Sequence, residues 1–195
     1  MHRAQARRVM ARYFEEPAAR LLHTLKLTPT AVTIIGLVLN LGVAYLAAVG
    51  LLLPAGLLLL VASTLDLLDG ALARLTGRES TFGALLDSLS DRLGEAAVLF
   101  GLLVLFFNDE SATGVFLVSL TMVASFMVSY LRARGEGLGI RSDVGIMTRP
   151  ERMVVLTVGM LVGHVLVPLG IILVLSTVTV GQRLHHLWRQ TRVGE

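Results

Sequence analysis

Four aspartates lie close together in the stretch DLLDGALARLTGRESTFGALLDSLSD: Asp66, Asp69, Asp87 and Asp91. Residues three or four apart on a helix share a face, so Asp66 pairs with Asp69 and Asp87 with Asp91. A short connection over about residues 75–81 folds the two helices into a hairpin and sets the pairs face to face. Small residues match this placement: Gly70 is four after Asp66, Ala73 four after Asp69 and Gly83 four before Asp87. A bare helix surface there lets a ligand approach the carboxylates closely. Like charges gathered in a medium of low dielectric repel one another, and divalent cations remove that repulsion. The segment offers no His or Cys, so its donors are oxygens, which suit Mg2+, Mn2+ or Ca2+ rather than zinc. Two such ions a few ångströms apart form a common clamp for displacement at phosphorus. The competing readings are a structural ion pair and an ion or proton path through a membrane.

The elements that must hold these acids are apolar. Of 195 residues, 54% are hydrophobic and 16% charged, with a mean hydropathy of +0.75. A soluble domain runs at about 25% charged, so the expectation is an integral membrane protein. One helical span needs roughly 20 apolar residues. Ala31 to Leu53 is an uncharged run, and Pro54 restarts the chain for a second span to about Ala73. Phe82 to Phe107 forms a third and Thr113 to Leu131 a fourth, divided by Asn108, Asp109 and Glu110. Met153 to Gln182 is uncharged but long, and Pro168, Leu169 and Gly170 divide it into two. The predicted fold is therefore all-α, a bundle of six transmembrane helices over residues 31–190 in one domain, 1–195. Ahead of it, Met10, Tyr13, Phe14, Ala18, Leu21, Leu22 and Leu25 alternate with charged residues at helical spacing. That pattern predicts an amphipathic helix in the membrane interface over residues 3–26, with Pro17 as a point of division; a solvated basic tail is the alternative.

Charge supports this partition. Six spans with a cytoplasmic N-terminus place all 17 Lys and Arg on one side, and the loops near Gly50, Asn108 and Pro168 have none. Positive residues favour cytoplasmic loops, so both termini and the aspartates face the cytoplasm at the cell membrane. The pI of 9.9 then reads as topology and attraction to anionic lipid, ahead of nucleic acid. No cysteine is present, which excludes disulfides and thiolate metal sites, and no signal-peptide pattern follows the basic start.

The pattern D-x-x-D-G-x-x-A-R-x8-G-x-x-x-D-x-x-x-D, from Asp66 through Asp69, Gly70, Ala73, Arg74, Gly83 and Asp87 to Asp91, resembles the signature of the CDP-alcohol phosphatidyltransferases. The resemblance implies six transmembrane helices, a homodimer and an active site open to the cytoplasm. It implies a reaction in which an alcohol attacks the β-phosphorus of CDP-diacylglycerol and CMP leaves. Asp66 and Asp87 would bridge two Mg2+ ions (or Mn2+), Asp69 would complete one site and Asp91 the other. Asp91 would also take the proton of the attacking hydroxyl as general base. Gly70, Arg74 and Ser80 match positions that hold the CMP moiety, and Pro29, Thr30, Ala31 and Val32 match a nucleotide-contacting turn. Thr30 stands where many members have Asn.

The stretch YLRARGEGLGIRSDVGIMTRPERMV, residues 130–154, carries more cation than topology requires. Arg132, Arg134, Arg149 and Arg152 flank a connection between helices, and converging guanidinium groups make a cradle for phosphate. A positive-inside loop facing lipid headgroups is the alternative. The SYLRARGEGLG and RPER segments are similar to those of prokaryotic phosphatidylinositol phosphate synthases, which implies inositol 1-phosphate as acceptor. Arg132 stands where those enzymes often have Lys. Glycerol 3-phosphate, which would make the enzyme a phosphatidylglycerol phosphate synthase, is the nearest alternative. A metal or proton transporter is a more distant one, because the other spans are almost bare of acids. His164 stands alone in an apolar run, and Gly159 and Gly163 are spaced for close helix contact, at a dimer interface among other places.

Overall fold

The computed structural model describes residues 16–140 and 143–193. Their regular structure is helical throughout: α1 (Glu16–Thr24), α2 (Pro29–Ala48), α3 (Leu52–Thr76), α4 (Thr81–Asn108), α5 (Ala112–Gly137), α6 (Arg149–Val162) and α7 (Leu166–Val193). By length and composition α2, α3, α5 and α7 suffice to cross a membrane. The other two of the six expected spans fall short of that test for different reasons. Helix α4 has 28 residues, but Asp87, Asp91, Arg92 and Glu95 crowd its first four turns. Helix α6 has 14 residues, about 21 Å at 1.5 Å per residue against a hydrocarbon core of roughly 30 Å. Large apolar side chains face outward along the long helices: Tyr45, Phe107, Phe116 and Val167 are each more than two-thirds exposed. In water such faces would drive aggregation, whereas in lipid they are ordinary solvent contacts, and the chain is a membrane protein.

Helix boundaries follow local chemistry. Pro54 lies in the first turn of α3, where its missing N–H leaves no bond unmade. Ser111 starts α5 by accepting the Gly114 N–H at 3.2 Å. The long apolar run from Met153 divides at Gly163, not at Pro168–Gly170 as expected. Gly163 takes a left-handed φ of 75° and closes α6, a conformation that side chains disfavour. Pro168 falls in the first turn of α7, where it is tolerated, and its ring packs on Gly159. The small surface at Gly159 is thus used within the α6–α7 hairpin, and His164 lies in the exposed turn rather than inside a span. Of the expected N-terminal helix, α1 covers residues 16–24, with Ala19 and Leu22 buried, Leu21 exposed within it and Leu25 exposed just after its end. Met10, Tyr13 and Phe14 lie outside the described residues.

The chain forms two compact units, the first holding residues up to Gly42 together with Leu58–Ala97, the second Val43–Leu57 together with Val98 onward. In the first, Ala19, Leu22, Val32, Leu68, Ala71 and Leu72 form an apolar core that joins α1, α2 and α3. In the second, α5 and α7 pack along one another and α6 packs on α7. Thr121 of α5 donates its hydroxyl to the Leu169 carbonyl of α7 at 3.2 Å in that buried seam.

Candidate active site

The first unit places the acids. Helix α3 ends at Thr76 and α4 starts at Thr81, so residues 77–80 make the short connection that the spacing of the acids requires. Ser80 caps α4 by accepting the Gly83 N–H at 3.0 Å, which fixes where the second helix begins and hence which way Asp87 and Asp91 point. One carboxylate oxygen each from Asp66, Asp87 and Asp91 lies within 4.8 Å of the others, and all three residues are half-buried. Around one Mg2+ or Mn2+ at roughly 2.1 Å, ligand oxygens sit about 3 to 4 Å apart, so the cluster fits a hard divalent cation. Asp66, Asp87 and Asp91 could hold such an ion.

Asp69 has partners of its own. It is only 5% exposed, and its Oδ2 accepts the hydroxyl of Thr33 at 2.7 Å while its Oδ1 accepts the Gly70 N–H. Asp69 lines the cavity with Asp87, and the Thr33 hydroxyl of α2 holds its carboxylate there.

A cavity of about 430 Å³ opens next to the acids. Pro29, Thr30, Gly70, Arg74 and Ser80, all singled out from the sequence, line it together with Asp69 and Asp87. Ala31 and Val32 do not, and Val32 is 1% exposed in the apolar core. Thr28, Thr33, Arg78 and Glu79 also line the cavity and were not singled out. Thr33 lies one helical turn past Pro29, so the face shared by residues four apart was the signal that could have found it. Its hydroxyl partner on α3 could not be read that way.

The second unit holds the Arg-rich connection. Arg132 Nε donates to Glu136 at 2.9 Å with both side chains about half exposed, and Arg134 is exposed. Arg149 is half-buried, whereas Arg152 is wholly buried and reaches the Met147 carbonyl at 3.4 Å. The Glu151 carboxylate takes both the N–H and the hydroxyl of Thr148, capping α6 so that its Arg residues start at a fixed point. Arg183 of α7, given no definite role from the sequence, is 2% exposed and donates to the carbonyls of Val144 and Val128 at 2.9 and 2.5 Å. Thr179, one turn before it, accepts the Met147 N–H at 3.0 Å. Gly145 has a φ of 132°, and a Cβ there would meet the Thr179 methyl at 2.5 Å. Residues 141–142, and with them Arg141, lie outside the described residues.

A helical membrane chain with a carboxylate cluster beside a cavity that Arg74 and Arg78 also line has the plan of a membrane-embedded enzyme acting on a charged headgroup. The chain belongs to the CDP-alcohol phosphatidyltransferase family, whose profile matches residues 26–182. It is 37% identical over 183 residues to the phosphatidylinositol phosphate synthase of Mycobacterium marinum, covering 88% of this chain and 78% of that one. It is 36% identical over 180 residues to the archaetidylinositol phosphate synthase of Pyrococcus horikoshii, covering 92% and 93%. The crystal structure of Mycobacterium tuberculosis phosphatidylinositol phosphate synthase with CDP-DAG bound superposes with a TM-score of 0.83 at 34% identity, over 90% of this chain and 94% of that one. The same enzyme in complex with manganese and citrate gives 0.82 at 33% identity, over 90% and 89%.

Proposed function

We propose that the protein transfers the phosphatidyl group of CDP-diacylglycerol to a hydroxyl of inositol 1-phosphate, giving phosphatidylinositol phosphate and CMP. The observation that carries this reading is the Asp66, Asp87 and Asp91 cluster beside a cavity lined by Arg74, Gly70 and Ser80. The cavity takes the cytidine diphosphate end of the donor, with the Arg74 guanidinium suited to a phosphate. Pro29, Thr30, Ala31 and Val32 belong to the turn that meets the nucleotide, Ala31 and Val32 from behind it. Asp66, Asp69, Asp87 and Asp91 would hold two Mg2+ ions, or Mn2+, which would supply neutralisation of the diphosphate and of charge on the attacking and leaving oxygens. Asp91 accepts the acceptor's hydroxyl proton as its oxygen bonds to the β-phosphorus, and the bond from that phosphorus to the CMP oxygen breaks.

Arg132, Arg134, Arg149 and Arg152 bind the acceptor phosphate. Arg149 and Arg152 lie in the capped first turn of α6, a fixed place from which guanidinium groups can meet a phosphate. The two relatives' names differ in the lipid and share inositol phosphate, which supports the acceptor more strongly than the donor chains. The protein spans the membrane six times, with α4 and α6 among the spans, and both termini and the site face the cytoplasm. It works as a homodimer.

Purified protein with CDP-diacylglycerol and Mg2+ should release CMP when inositol 1-phosphate is added and not with buffer alone. CMP release with glycerol 3-phosphate and none with inositol 1-phosphate overturns the acceptor assignment. Ion flux in liposomes without CMP formation overturns the enzymatic reading.

A further inference from the structure

A side-chain hydrogen bond at the site joins α2 to α3 between residues 36 apart in the chain: Thr33 Oγ1 donates to Asp69 Oδ2 at 2.7 Å. Both groups are shielded, Thr33 at 7% and Asp69 at 5% exposure. The same hydroxyl oxygen lies 3.1 Å from the Pro29 carbonyl, the helical neighbour to which a threonine can always turn. A hydroxyl has one proton, and an ionised carboxylate is the stronger acceptor, as the shorter contact indicates. Because threonine is branched at Cβ, its χ1 has few choices in a helix, so the hydroxyl is presented to α3 at a set angle.

The consequence falls on Asp69. A carboxylate has about four acceptor positions on its two oxygens. One on Oδ2 is taken by Thr33 and one on Oδ1 by the Gly70 N–H. The carboxyl plane is thereby pinned from both sides, and the remaining lone pairs belong to a residue that lines the cavity beside Asp87. Thr33 lines the same cavity, so its replacement by a group of equal size would remove the proton donor without opening a void.

We infer that Thr33 is a positioning residue for metal binding, which sets the orientation of the Asp69 carboxylate through its hydroxyl. This rests on the proposed role of Asp69 as a metal ligand. Partners that orient a ligating carboxylate are worth about 10- to 100-fold in metal affinity.

The test is Mn2+ binding to the detergent-purified full chain, with free Mn2+ counted by electron paramagnetic resonance and no substrate present. Thr33→Val should weaken binding about 10-fold, and Thr33→Ser, which keeps the hydroxyl, should stay within about 2-fold of the parent protein. Asp69→Asn should weaken binding at least as much as Thr33→Val, and Thr33→Val with Asp69→Asn together should be no weaker than Asp69→Asn alone. A purely structural threonine would instead lower the unfolding midpoint and leave Mn2+ affinity in place. Parent affinity in Thr33→Val, equal losses in the Val and Ser variants, or additive losses in the double variant each overturn the inference while leaving Asp69 as a ligand. Unchanged affinity in Asp69→Asn removes Asp69 from the metal site and the inference with it. No Mn2+ binding by the parent protein overturns the metal reading as a whole.

Discussion

Asp91 is the residue on which the proposed chemistry turns. It lies one helical turn past Asp87, and one of its oxygens is within 4.8 Å of those of Asp66 and Asp87. Replacing it with Asn keeps the shape and removes the base, and a positioned base contributes about 10²- to 10⁴-fold. Asp91→Asn should lower kcat by at least that factor and leave binding of CDP-diacylglycerol to the cavity nearly unchanged; a kcat within 10-fold of the parent rejects the base assignment. Arg152 makes the complementary case in the second unit. Arg152→Gln should raise the KM for inositol phosphate about 10-fold, with the KM for the CDP-lipid unmoved, on the scale of about 1.4 kcal/mol for one charge-assisted hydrogen bond. An unchanged acceptor KM would return the connection to its topological role.

At the scale of elements, the connection between α5 and α6 is held by α7. Thr179 bonds to the Met147 N–H, Arg183 to the Val144 carbonyl, and Gly145 passes over the Thr179 methyl with no room for a Cβ. Thr179 is wholly buried, so it has nowhere to move. Gly145→Ala should therefore cost about 1–3 kcal/mol, read as a lowered unfolding midpoint in detergent. It should also raise the acceptor KM, because the residues it displaces lead directly into Arg149 and Arg152. Thermal stability equal to the parent would show that the connection is not clasped by α7.

At the scale of the whole molecule, membrane topology is the open quantity with the sharpest test. The chain has no cysteine, so each introduced one reports alone. With all 17 Lys and Arg assigned to one side, a cysteine at Gly77 should react with an impermeant maleimide only after the cells are opened. One at Asp109, in the turn between α4 and α5, should react in intact cells. The reverse pattern would invert the proposed orientation, and labelling of both sites from one side would reject the span count between them.

Some of this was legible before any fold was known, because it depends on spacing along single helices. The grouping of Asp87 with Asp91 on one helix, a short connection between the two acid-bearing helices, though drawn wider at 75–81, and the apolar character of the long helices all follow from residue type and period. The division of the last apolar run was misplaced: a proline is harmless in a first turn, and Gly163 could be ranked above it only once its left-handed φ was seen. Hydrogen bonds between distant residues were beyond the reach of spacing altogether. That Thr33 holds the Asp69 carboxylate, that Val32 turns into the apolar core against Leu68, and that Arg183 holds the connection ahead of α6 are all decided by contacts across 36 to 55 residues of chain. Such contacts exist only after helices have packed, since burial selects partners that sequence order cannot bring near.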